Sequence, residues 1–520
     1  MSIRQGSTVS HASAELAAIV ARFTQDVAAD AGLMLGPAAA GETGTIDLAL
    51  DPAVLSDLDP PRGISPTGPG PAPSAYRLVV DGDGVRLTAP SAEGVFRGLT
   101  TLRQLIAAGL GVDGEAHLDA VRIEDAPRFA WRGLSLDVVR TFFSVSEVER
   151  VIDLMALHKL NVLHLHLTDD QGWRIEIPGW PALTKTGASG AVGDRPGGHY
   201  SRHEFGQLVA YAAERFITIV PEVDMPGHSA AAIRSYPELA AESGGSLLDP
   251  DHPGVLAFAA DVVSAMADLA PGPYLHLGGD EAFGMDPEAY RRFIDAARAM
   301  AIEAGMTPIF WQEATRSAIG PSDVSQYWLA LDPSIEALLA DEELVLHGTG
   351  LPRDLGIPPE MLPVVAEMVR SSKGDLERAV EAGARILLSP ASHLYLDRPY
   401  AEDPTDADQN LWQQHLGLKV YPRRSVEETF DWEPDEILPG QEDLIGGIEA
   451  AIWCETISSI EQLEFMLLPR LAGVAERAWS QPPRSTWDDY LPRLAAQAPL
   501  WRRRGWSFFT SSLVSWEPSR

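Results

Sequence analysis

The chain has 520 residues, of which 45% are hydrophobic, and this size and composition indicate a globular protein with one large domain and a smaller one. Its 74 Asp and Glu residues outnumber 40 Lys and Arg residues and give a net charge of −34. Because such a surface repels phosphate, we expect neither nucleic acid nor an anionic membrane surface as a partner. The single cysteine, Cys454, excludes an intrachain disulfide and a cysteine-based zinc cluster.

The N-terminal residues are polar and run into a predicted amphipathic helix. They lack the apolar core and the small-residue cleavage site of a signal peptide. Elsewhere no apolar run reaches the roughly 18 residues that a membrane helix needs. We therefore predict a soluble, cytoplasmic protein, with secretion left open in case a leader is missing.

Residues 1–125 predict a small α+β domain. Residues 56–75 are rich in Pro and Gly and indicate a loop. Two alternating strands flank the turn at residues 81–84, which is typical of a hairpin. Helical spacing of apolar residues follows over residues 91–109. A proline at position 127 interrupts the pattern and marks the predicted boundary.

From Trp131 onward, short apolar strands alternate with amphipathic helices, the pattern of a parallel sheet with crossover helices. Ser144 and Ser201 are predicted to cap two of these helices. Eight strands are enough to close a (β/α)8 barrel. We expect this barrel over residues 126–485, with a C-terminal helical segment, residues 486–520, packed on it. The predicted strands cover residues 133–139, 161–168, 217–224, 274–279, 308–312, 324–328, 385–390 and 446–453.

Two long segments interrupt the alternation. Residues 331–384 contain helical patches at 337–345 and 361–369 but no predicted strand, and residues 398–443 are polar and rich in Pro. Connections of that length are usually functional or carry structure of their own.

Polar and aromatic side chains follow the predicted strands at the point where each strand ends. Active sites of such barrels lie at this end. A single acidic residue after a strand is most often a helix cap, and a single Trp is more often part of the core. Their coincidence at successive strand ends is what indicates a site. The main candidates are Asp137, Arg140, His164, His166, Asp169, Glu222, Asp224, His228, His276, Asp280, Glu281, Trp311, Trp328, Tyr395, Asp397, Trp453 and Glu455.

This set of residue types points to a sugar ligand. Indole rings stack on the C–H face of a pyranose, while Arg and carboxylates bind its hydroxyls. Glycosidic cleavage needs a carboxylic acid to protonate the leaving oxygen, and Asp280-Glu281 follows two glycines that leave room for substrate. Adjacent residues, with Cα atoms about 3.8 Å apart, do not naturally flank a sugar ring. The nucleophile is therefore expected to belong to the substrate.

The chain resembles glycoside hydrolase family 20, the β-N-acetylhexosaminidases. The matching motifs are WRGLSLDVVR, KLNVLHLHLTDDQGWRIEI, PEVDMPGHS, HLGGDEA, YLYLD and GGIEAAIWCET, in family order over residues 131 to about 456. The segments YRLVV and GVFRGLTTLRQL resemble the small accessory domain of that family. The resemblance implies exo-hydrolysis of terminal non-reducing β-linked GlcNAc or GalNAc, with retention through an oxazolinium-like intermediate formed by the substrate's acetamide. It implies no metal and no organic cofactor.

The resemblance also assigns roles. Glu281 resembles the general acid and later base, Asp280 the residue that orients the acetamide nitrogen, and Tyr395 the hydroxyl that holds the acetamide oxygen. The predicted walls of the sugar pocket are Trp311, Trp328 and Trp453. The predicted readers of the sugar hydroxyls are Arg140, Asp397 and Glu455. Asp169, His166 and His228 are predicted to fix and tune the surroundings of the acid.

The chain departs from the family pattern at residues 331–384, where a shorter connection is expected. The apolar helical patches suggest a helical flap over the site or a contact between subunits, so that a homodimer is one option for the assembly.

Two other functions fit parts of the sequence. A metal-dependent barrel hydrolase could use His164 and His166 with Asp224, His228 and Asp280 as ligands, but this leaves the tryptophans and the Asp-Glu pair unexplained. A catalytically silent sugar-binding protein is the second alternative, because fold alone does not prove chemistry. A binder has no need for Asp280, Glu281 and Tyr395 together.

Overall fold

The computed structural model describes residues 1–39, 41–68, 74–241, 244–330, 362–482 and 485–516, with the backbone alone for residues 362–365. In chain order the strands are β1 Ser2–Ile3, β2 Thr8–His11, β3 Gly36–Pro37, β4 Ile46–Leu50, β5 Tyr76–Val80, β6 Val85–Ala89, β7 Ala116–His117, β8 Val121–Asp125, β9 Arg132–Asp137, β10 Val162–His166, β11 Thr218–Glu222, β12 Tyr274–His276, β13 Thr307–Trp311, β14 Val324–Tyr327, β15 Arg385–Leu388 and β16 Ile445–Ile452. The α-helices are Ala17–Ala31, Ala92–Ala108, Val145–Leu157, Ala182–Lys185, Arg202–Ala213, Ala230–Ser235, Pro253–Leu269, Pro287–Glu303, Leu362–Ser372, Asp375–Glu381, Ala391–Leu394, Asn410–His415, Val426–Phe430, Ile460–Leu467, Arg470–Trp479, Trp487–Ala495 and Ala498–Arg503.

The N-terminal unit is built on one sheet with the strand order β3-β2-β4-β6-β5-β8. Strands β5 and β6 form the predicted hairpin, with Val80 opposite Val85. Asp81 N–H closes the turn by donating to the carbonyl of Gly84 at 3.1 Å. The helix Ala92–Ala108 packs on β5 and β6, and the helix Ala17–Ala31 packs against it. The predicted α+β unit ahead of the barrel is therefore confirmed.

The barrel consists of strands β9 to β16, all parallel, and closes where β16 pairs with β9. Every residue of β9, β10 and β16 is buried, because helices cover the outside and side chains fill the inside. The predicted eight-stranded barrel is confirmed. Six of the eight strands are shorter than predicted. Strand β12, for example, ends at His276 rather than at residue 279, because Gly278 and Gly279 adopt positive φ angles of 69° and 95° and turn the chain.

Two barrel helices begin at the predicted serines. Ser144 and Glu147 form a capping box at the start of Val145–Leu157. Ser201 and Glu204 do the same for Arg202–Ala213. Each box satisfies backbone N–H groups that the first helical turn cannot pair internally, so these sequence signals place the crossover helices.

The long connections contain helices of their own. The helices Leu362–Ser372 and Asp375–Glu381 fall within the segment 331–384, and the first coincides with the predicted patch at 361–369. The other predicted patch, 337–345, lies outside the described residues. Among the described helices, none has the length and apolarity that crossing a bilayer requires.

The C-terminal helices contact both units. Trp501, which is fully buried, lies against His158 at the end of the helix Val145–Leu157, with ring centroids 6.0 Å apart. Arg504 forms ion pairs with Asp26 and Asp30 of the first helix. The division of the chain at residues 125 and 485 stays a prediction.

Candidate active site

A pocket opens at the carboxyl ends of the barrel strands. The parallel register brings the ends together: His166 lies opposite Asp137 on β9 and opposite Glu222 on β11. Of the twelve residues to which the family resemblance assigns a role, all except Trp311 and Asp397 line this pocket. Of the other strand-end candidates, Asp224 lines it, whereas Asp137, His164, Glu222 and His276 do not. The lining residues are Arg140, His166, Asp169, Asp224, His228, Asp280, Glu281, Trp328, Tyr395, Leu418, Tyr421, Trp453 and Glu455.

The turn after β12 presents the acidic pair to the pocket. Gly278 is required there, because a Cβ atom would lie 1.7 Å from Oδ1 of Asp224. That same oxygen accepts a hydrogen bond from Gly279 N–H at 3.1 Å. Glu281 adopts a positive φ of 47°. Residues other than glycine rarely take this backbone conformation, and those that do are concentrated at functional sites. Asp224 therefore anchors the loop that carries Asp280 and Glu281.

His228 connects the acidic pair to a second carboxylate. Its Nε2 atom lies 3.4 Å from Oε2 of Glu281 and 3.6 Å from Oδ2 of Asp280. Its Nδ1 atom lies 3.2 Å from Oδ1 of Asp169. Burial disfavours the imidazolium, but Asp169 and the acidic pair outweigh burial and raise the pKa of His228 well above its ordinary value. A cation therefore faces the predicted acid.

Asp169 is held from three directions. Its Oδ2 atom lies 2.7 Å from the Arg140 guanidinium and 2.8 Å from Nε2 of His166. Burial opposes ionisation, but Arg140 and His228 lower the pKa of Asp169 well below its usual range. The predicted tuning group of Asp169, His166 and His228 is thus one connected cluster.

Aromatic rings form one side of the pocket. The rings of Trp328 and Tyr395 stack with centroids 6.0 Å apart and an angle of 7° between their planes. Tyr395 also lies 6.0 Å from Trp453 and 5.9 Å from Tyr421. Trp328 Nε1–H donates to the buried Glu313 at 3.2 Å. These flat faces fit the apolar side of a sugar ring.

Trp311 lies behind this wall. It is 1% exposed, and its indole N–H donates to Oε1 of Glu222 inside the barrel at 2.8 Å. Its ring lies 6.0 Å from that of Trp453, so it backs the pocket without lining it.

Several polar atoms near the pocket are buried and have no hydrogen-bond partner among the described residues. They are Arg140 Nε, Asp224 Oδ2, Asp280 Oδ1, Glu455 Oε2 and both carboxylate oxygens of Asp397. Burial and the neighbouring Glu455 raise the pKa of Asp397 to about 8, and burial raises that of Glu455. Such unpaired groups are unfavourable in a free protein. A ligand rich in hydroxyl and amide groups would satisfy them.

Three lining residues had no role assigned by the family resemblance. Asp224 was a candidate because it stands at a strand end, and the one role considered for it was as a ligand of the alternative metal site. Leu418 and Tyr421 lie in the segment 398–443, whose polar, Pro-rich pattern contained no signal for them. Burial, with Asp397 and Glu281 nearby, raises the pKa of Tyr421 well above its ordinary value, so its hydroxyl stays a neutral hydrogen-bond donor.

The residues of the alternative metal site do not form one ligand set: His166, Asp224, His228 and Asp280 line the pocket, but His164 does not. His164 points into the barrel, where its nitrogens lie 2.9 Å from Glu449 and 3.0 Å from Glu222. Asp224, His228 and Asp280 bring possible ligand atoms within 4.8 Å of one another, but His166 is occupied by Glu222 and Asp169. The two histidines that suggested a metal are therefore held by carboxylates.

Comparison with known proteins agrees with this geometry. Residues 129–347 and 362–482 match the catalytic domain of glycosyl hydrolase family 20, and residues 1–126 match domain 2 of that family. The chain is 39% identical to a β-N-acetylhexosaminidase of Cellulomonas fimi, over 85% of this chain and 81% of that protein.

Solved structures show the same fold. A mutant Streptomyces plicatus β-hexosaminidase in complex with its product GlcNAc superposes with a TM-score of 0.81 at 34% identity, covering 99% of this chain and 95% of the other. A β-N-acetylhexosaminidase from Streptomyces coelicolor gives 0.80 at 33% identity, with the same coverage. The chain therefore belongs to glycosyl hydrolase family 20, as a glycoside hydrolase of the β-N-acetylhexosaminidase type.

Proposed function

We propose that the protein removes terminal non-reducing β-linked GlcNAc or GalNAc with retention of configuration, through participation of the substrate's own acetamide group. The observation that carries this proposal is the convergence of Asp280 and Glu281 on one imidazole, His228, at 3.6 and 3.4 Å. An ordinary retaining enzyme places its acid and its nucleophile on opposite sides of the anomeric carbon. Two adjacent carboxylates on the same histidine do not suit that arrangement.

Two other lining carboxylates, Asp169 and Asp224, are poor nucleophiles. Asp169 is engaged with Arg140, His166 and His228. Burial and the nearby Asp280 raise the pKa of Asp224 well above its ordinary value, which keeps Asp224 protonated and weakly nucleophilic. A nucleophile supplied by the substrate accounts for both facts.

In the proposed first step the acetamide oxygen attacks the anomeric carbon while Glu281 transfers a proton to the leaving glycosidic oxygen. This forms an oxazolinium ion and a free alcohol. Glu281, now ionised, then takes a proton from the water that opens the oxazolinium ring. The two inversions give net retention and restore the acid.

We assign Asp280 and Tyr395 to the acetamide. Oδ1 of Asp280 is buried and has no partner among the described residues, so it is free to accept the acetamide N–H and to balance positive charge on the ring. Burial raises the pKa of Tyr395 well above its ordinary value, so its hydroxyl can donate to the acetamide oxygen. Both contacts strengthen as the oxazolinium forms.

We assign the remaining roles from the buried polar atoms without partners and from the aromatic rings beside the pocket. We assign Arg140, Asp397 and Glu455 to the sugar hydroxyls, because each has a buried polar atom without a partner in the described chain. Trp328 and Trp453 line the sugar and acetamide pocket, and Trp311 supports Trp453 from behind.

The helix Leu362–Ser372 supports the idea of a flap beside the site. Met368 packs against the aromatic cluster that includes Trp328 and Tyr395. Met368 and Glu367 also line a second cavity together with Glu281 and Phe283. We propose that this helix borders the leaving-group side. Replacing Met368 with Ala should then change the kinetics on long oligosaccharides more than on aryl glycosides, and equal changes on both would argue against it.

A panel of chromogenic glycosides tests the mechanism. The N-acetylglucosaminide and N-acetylgalactosaminide should be cleaved, whereas the matching glucoside, which lacks the acetamide, should be almost inert. A thiazoline that mimics the cyclised intermediate should inhibit strongly. Equal rates on the glucoside and its 2-acetamido counterpart would overturn the proposal.

A further inference from the structure

Below the pocket, the barrel interior contains an unbroken series of alternating acidic and imidazole side chains, here called the buried row. Successive members approach at 2.9 Å, 3.0 Å, 2.6 Å and 2.8 Å between nitrogen and oxygen atoms. All five are at most 1% exposed. In spatial order the buried row is Glu449, His164, Glu222, His166 and Asp169.

Glu222 is the centre of the row. Its Oε2 atom lies 2.6 Å from Nδ1 of His166 and 3.0 Å from Nε2 of His164. Its Oε1 atom accepts the indole N–H of Trp311 at 2.8 Å and lies 3.0 Å from Nδ1 of His276. Burial opposes ionisation, but these imidazoles lower the pKa of Glu222 well below its usual range. Four nitrogen atoms thus surround one buried carboxylate.

The row leads from Glu222 to the acid. An imidazole has its two nitrogens on opposite sides of a rigid ring, so a partner that fixes one nitrogen also fixes the direction of the other. Glu222 holds Nδ1 of His166, and Nε2 of His166 meets Asp169. Asp169 in turn holds His228, which faces Glu281 at 3.4 Å.

A second arm leads from Glu222 to the sugar wall. Trp311 has one polar atom, its indole N–H, and that atom is held by Glu222. The ring of Trp311 backs Trp453, which lines the pocket. One carboxylate therefore fixes both His166, the first imidazole of the chain that leads to the acid, and the indole that supports the wall.

We propose that Glu222 is a positioning residue of the reaction. It lies outside the pocket lining and acts on Glu281 through His166, Asp169 and His228, and on the acetamide pocket through Trp311. This rests on the roles given above to Glu281 and Trp453. It extends them by placing part of the catalytic geometry inside the barrel.

The replacement Glu222→Gln tests this, because it keeps the shape and removes the charge. A glutamine has one acceptor oxygen and one NH2 group. Whichever way it is placed, the NH2 group must face either the Trp311 indole N–H or the His166 imidazolium, and both are donors. One arm of the support is therefore lost without a large change in volume.

Glu449→Gln is the matched control. Glu449 is also fully buried, also accepts an indole N–H, from Trp131 at 2.8 Å, and also faces His164. It lies at the other end of the buried row, where it does not contact His166. Both variants should lose stability, but only Glu222→Gln should change the ratio of the rates on a substrate that needs protonation of its leaving group and one that does not.

The measurement is kcat and KM on two substrates, a nitrophenyl N-acetylglucosaminide and the disaccharide of β-linked GlcNAc. Active sites are counted by titration with the thiazoline, so that unfolded protein is not included in the enzyme concentration from which kcat is calculated. Because the nitrophenyl group needs little protonation, a misplaced acid slows the disaccharide more. We expect Glu222→Gln to lower kcat on the disaccharide by about 10- to 100-fold, and on the aryl substrate several-fold less.

The control fixes the interpretation. Glu449→Gln should leave the ratio of the two rates at the wild-type value. If both variants lower both rates by the same factor, or if Glu222→Gln leaves both rates unchanged, the proposal is overturned. Should Glu222→Gln not fold, Glu222→Asp keeps the charge but shortens the reach to His166, and it should shift the ratio in the same direction by less. An unchanged ratio in Glu222→Asp also contradicts the proposal.

This outcome is separable from that of the mechanism. Cleavage of the plain glucoside by the wild-type enzyme tests the acetamide mechanism without reference to Glu222. A ratio shift in Glu222→Gln tests the positioning without reference to the identity of the nucleophile.

Discussion

Two groups of buried carboxylates in this barrel have opposite surroundings. The paired group, Asp169 and Glu222, lies among imidazoles, a guanidinium and an indole, and both pKa values are lowered. The open group, Asp224, Asp397 and Glu455, has oxygens without partners in the described structure, and its three pKa values are raised. Burial does not explain the difference, because Asp169, Glu222, Asp224 and Asp397 are all at most 1% exposed, and Glu455 is partly exposed.

This difference in surroundings indicates two roles: one group of carboxylates supports the catalytic side chains, and the other binds the ligand. A buried charge with partners rigidifies its neighbours, whereas a buried polar group without partners is unfavourable until something supplies them. The paired group therefore holds the catalytic side chains in place. The open group is suited to the hydroxyl groups of a sugar. Mutations should move stability and activity together in the first group and in opposite directions in the second.

The largest effect is expected at Glu281, which His228 connects to Asp169 at the end of the buried row. Glu281→Gln removes the transferable proton and should lower kcat/KM on the disaccharide by about 10²- to 10⁴-fold. The rate of the first step on a nitrophenyl substrate should fall less. Stopped-flow release of nitrophenol measures that step. An equal loss on both substrates would contradict the role of acid.

The next largest effect is expected in the paired group. Asp169→Asn leaves Arg140, His166 and His228 without their shared carboxylate. Removing one partner from a buried ion pair destabilises a protein by about 3–5 kcal/mol, so urea unfolding should show a loss of this order. Activity should fall as well, because His228 loses its orientation. A stable but inactive variant would place Asp169 in the open group instead.

In the open group, stability and activity should separate. Asp397→Asn removes a buried carboxyl group whose oxygens have no partner among the described residues. The variant should be more stable at neutral pH, while kcat/KM falls about 10-fold, the effect of losing one hydrogen bond to the sugar. The pKa of Asp397 is about 8 in the folded state, against about 3.9 when unfolded. The folded state thus keeps a proton that the unfolded state has lost, and wild-type stability falls as pH rises from about 4 to 8.

The stability gain of Asp397→Asn should therefore be absent near pH 4, grow with pH and level off above pH 8. Melting temperatures across this range measure it, with Glu449→Gln as a paired carboxylate that should show no such gain. A gain that does not depend on pH would mean that charge is not the cause.

The sequence predicts the barrel and the acidic pair, but it does not predict which buried carboxylates have partners. The alternation of strands and helices, the two capping serines and the Gly-Gly-Asp-Glu turn lead to the barrel and to Asp280 and Glu281, because these signals are local. Whether a carboxylate finds a partner depends on residues far away in the chain: Glu222 meets Trp311, and His164 meets Glu449. No spacing rule encodes such contacts.

For the same reason the sequence does not predict where the side chains of Trp311 and Tyr421 lie. Strand β13 is buried over its last four residues, so its pattern does not show which side chain turns inward, and Trp311 proves to point at Glu222. Tyr421 lies in a long loop without periodicity and reaches the pocket only through the fold of that loop.

The smallest effect is expected from the titration of His164 in the buried row. Burial favours the neutral ring, but Glu222 and Glu449 raise the pKa of His164 to about 9, against about 6.5 when unfolded. Its contribution to stability is complete below pH 6.5 and is lost as pH rises to about 9, on the order of 1–3 kcal/mol. His158 and His393, whose pKa burial lowers to about 4, titrate below this window.

Unfolding free energies between pH 6.5 and 9.5 measure the effect. They are best collected on Asp397→Asn, so that the proton of Asp397 does not contribute. Replacing His164 by Gln in that background should lower the overall stability and should reduce the slope against pH by about one proton. Because His166 and His228 also have raised pKa values, part of the slope should remain. A slope unchanged by the replacement would show that His164 is neutral between its two carboxylates, and the alternation of charge along the buried row would then end at Glu222.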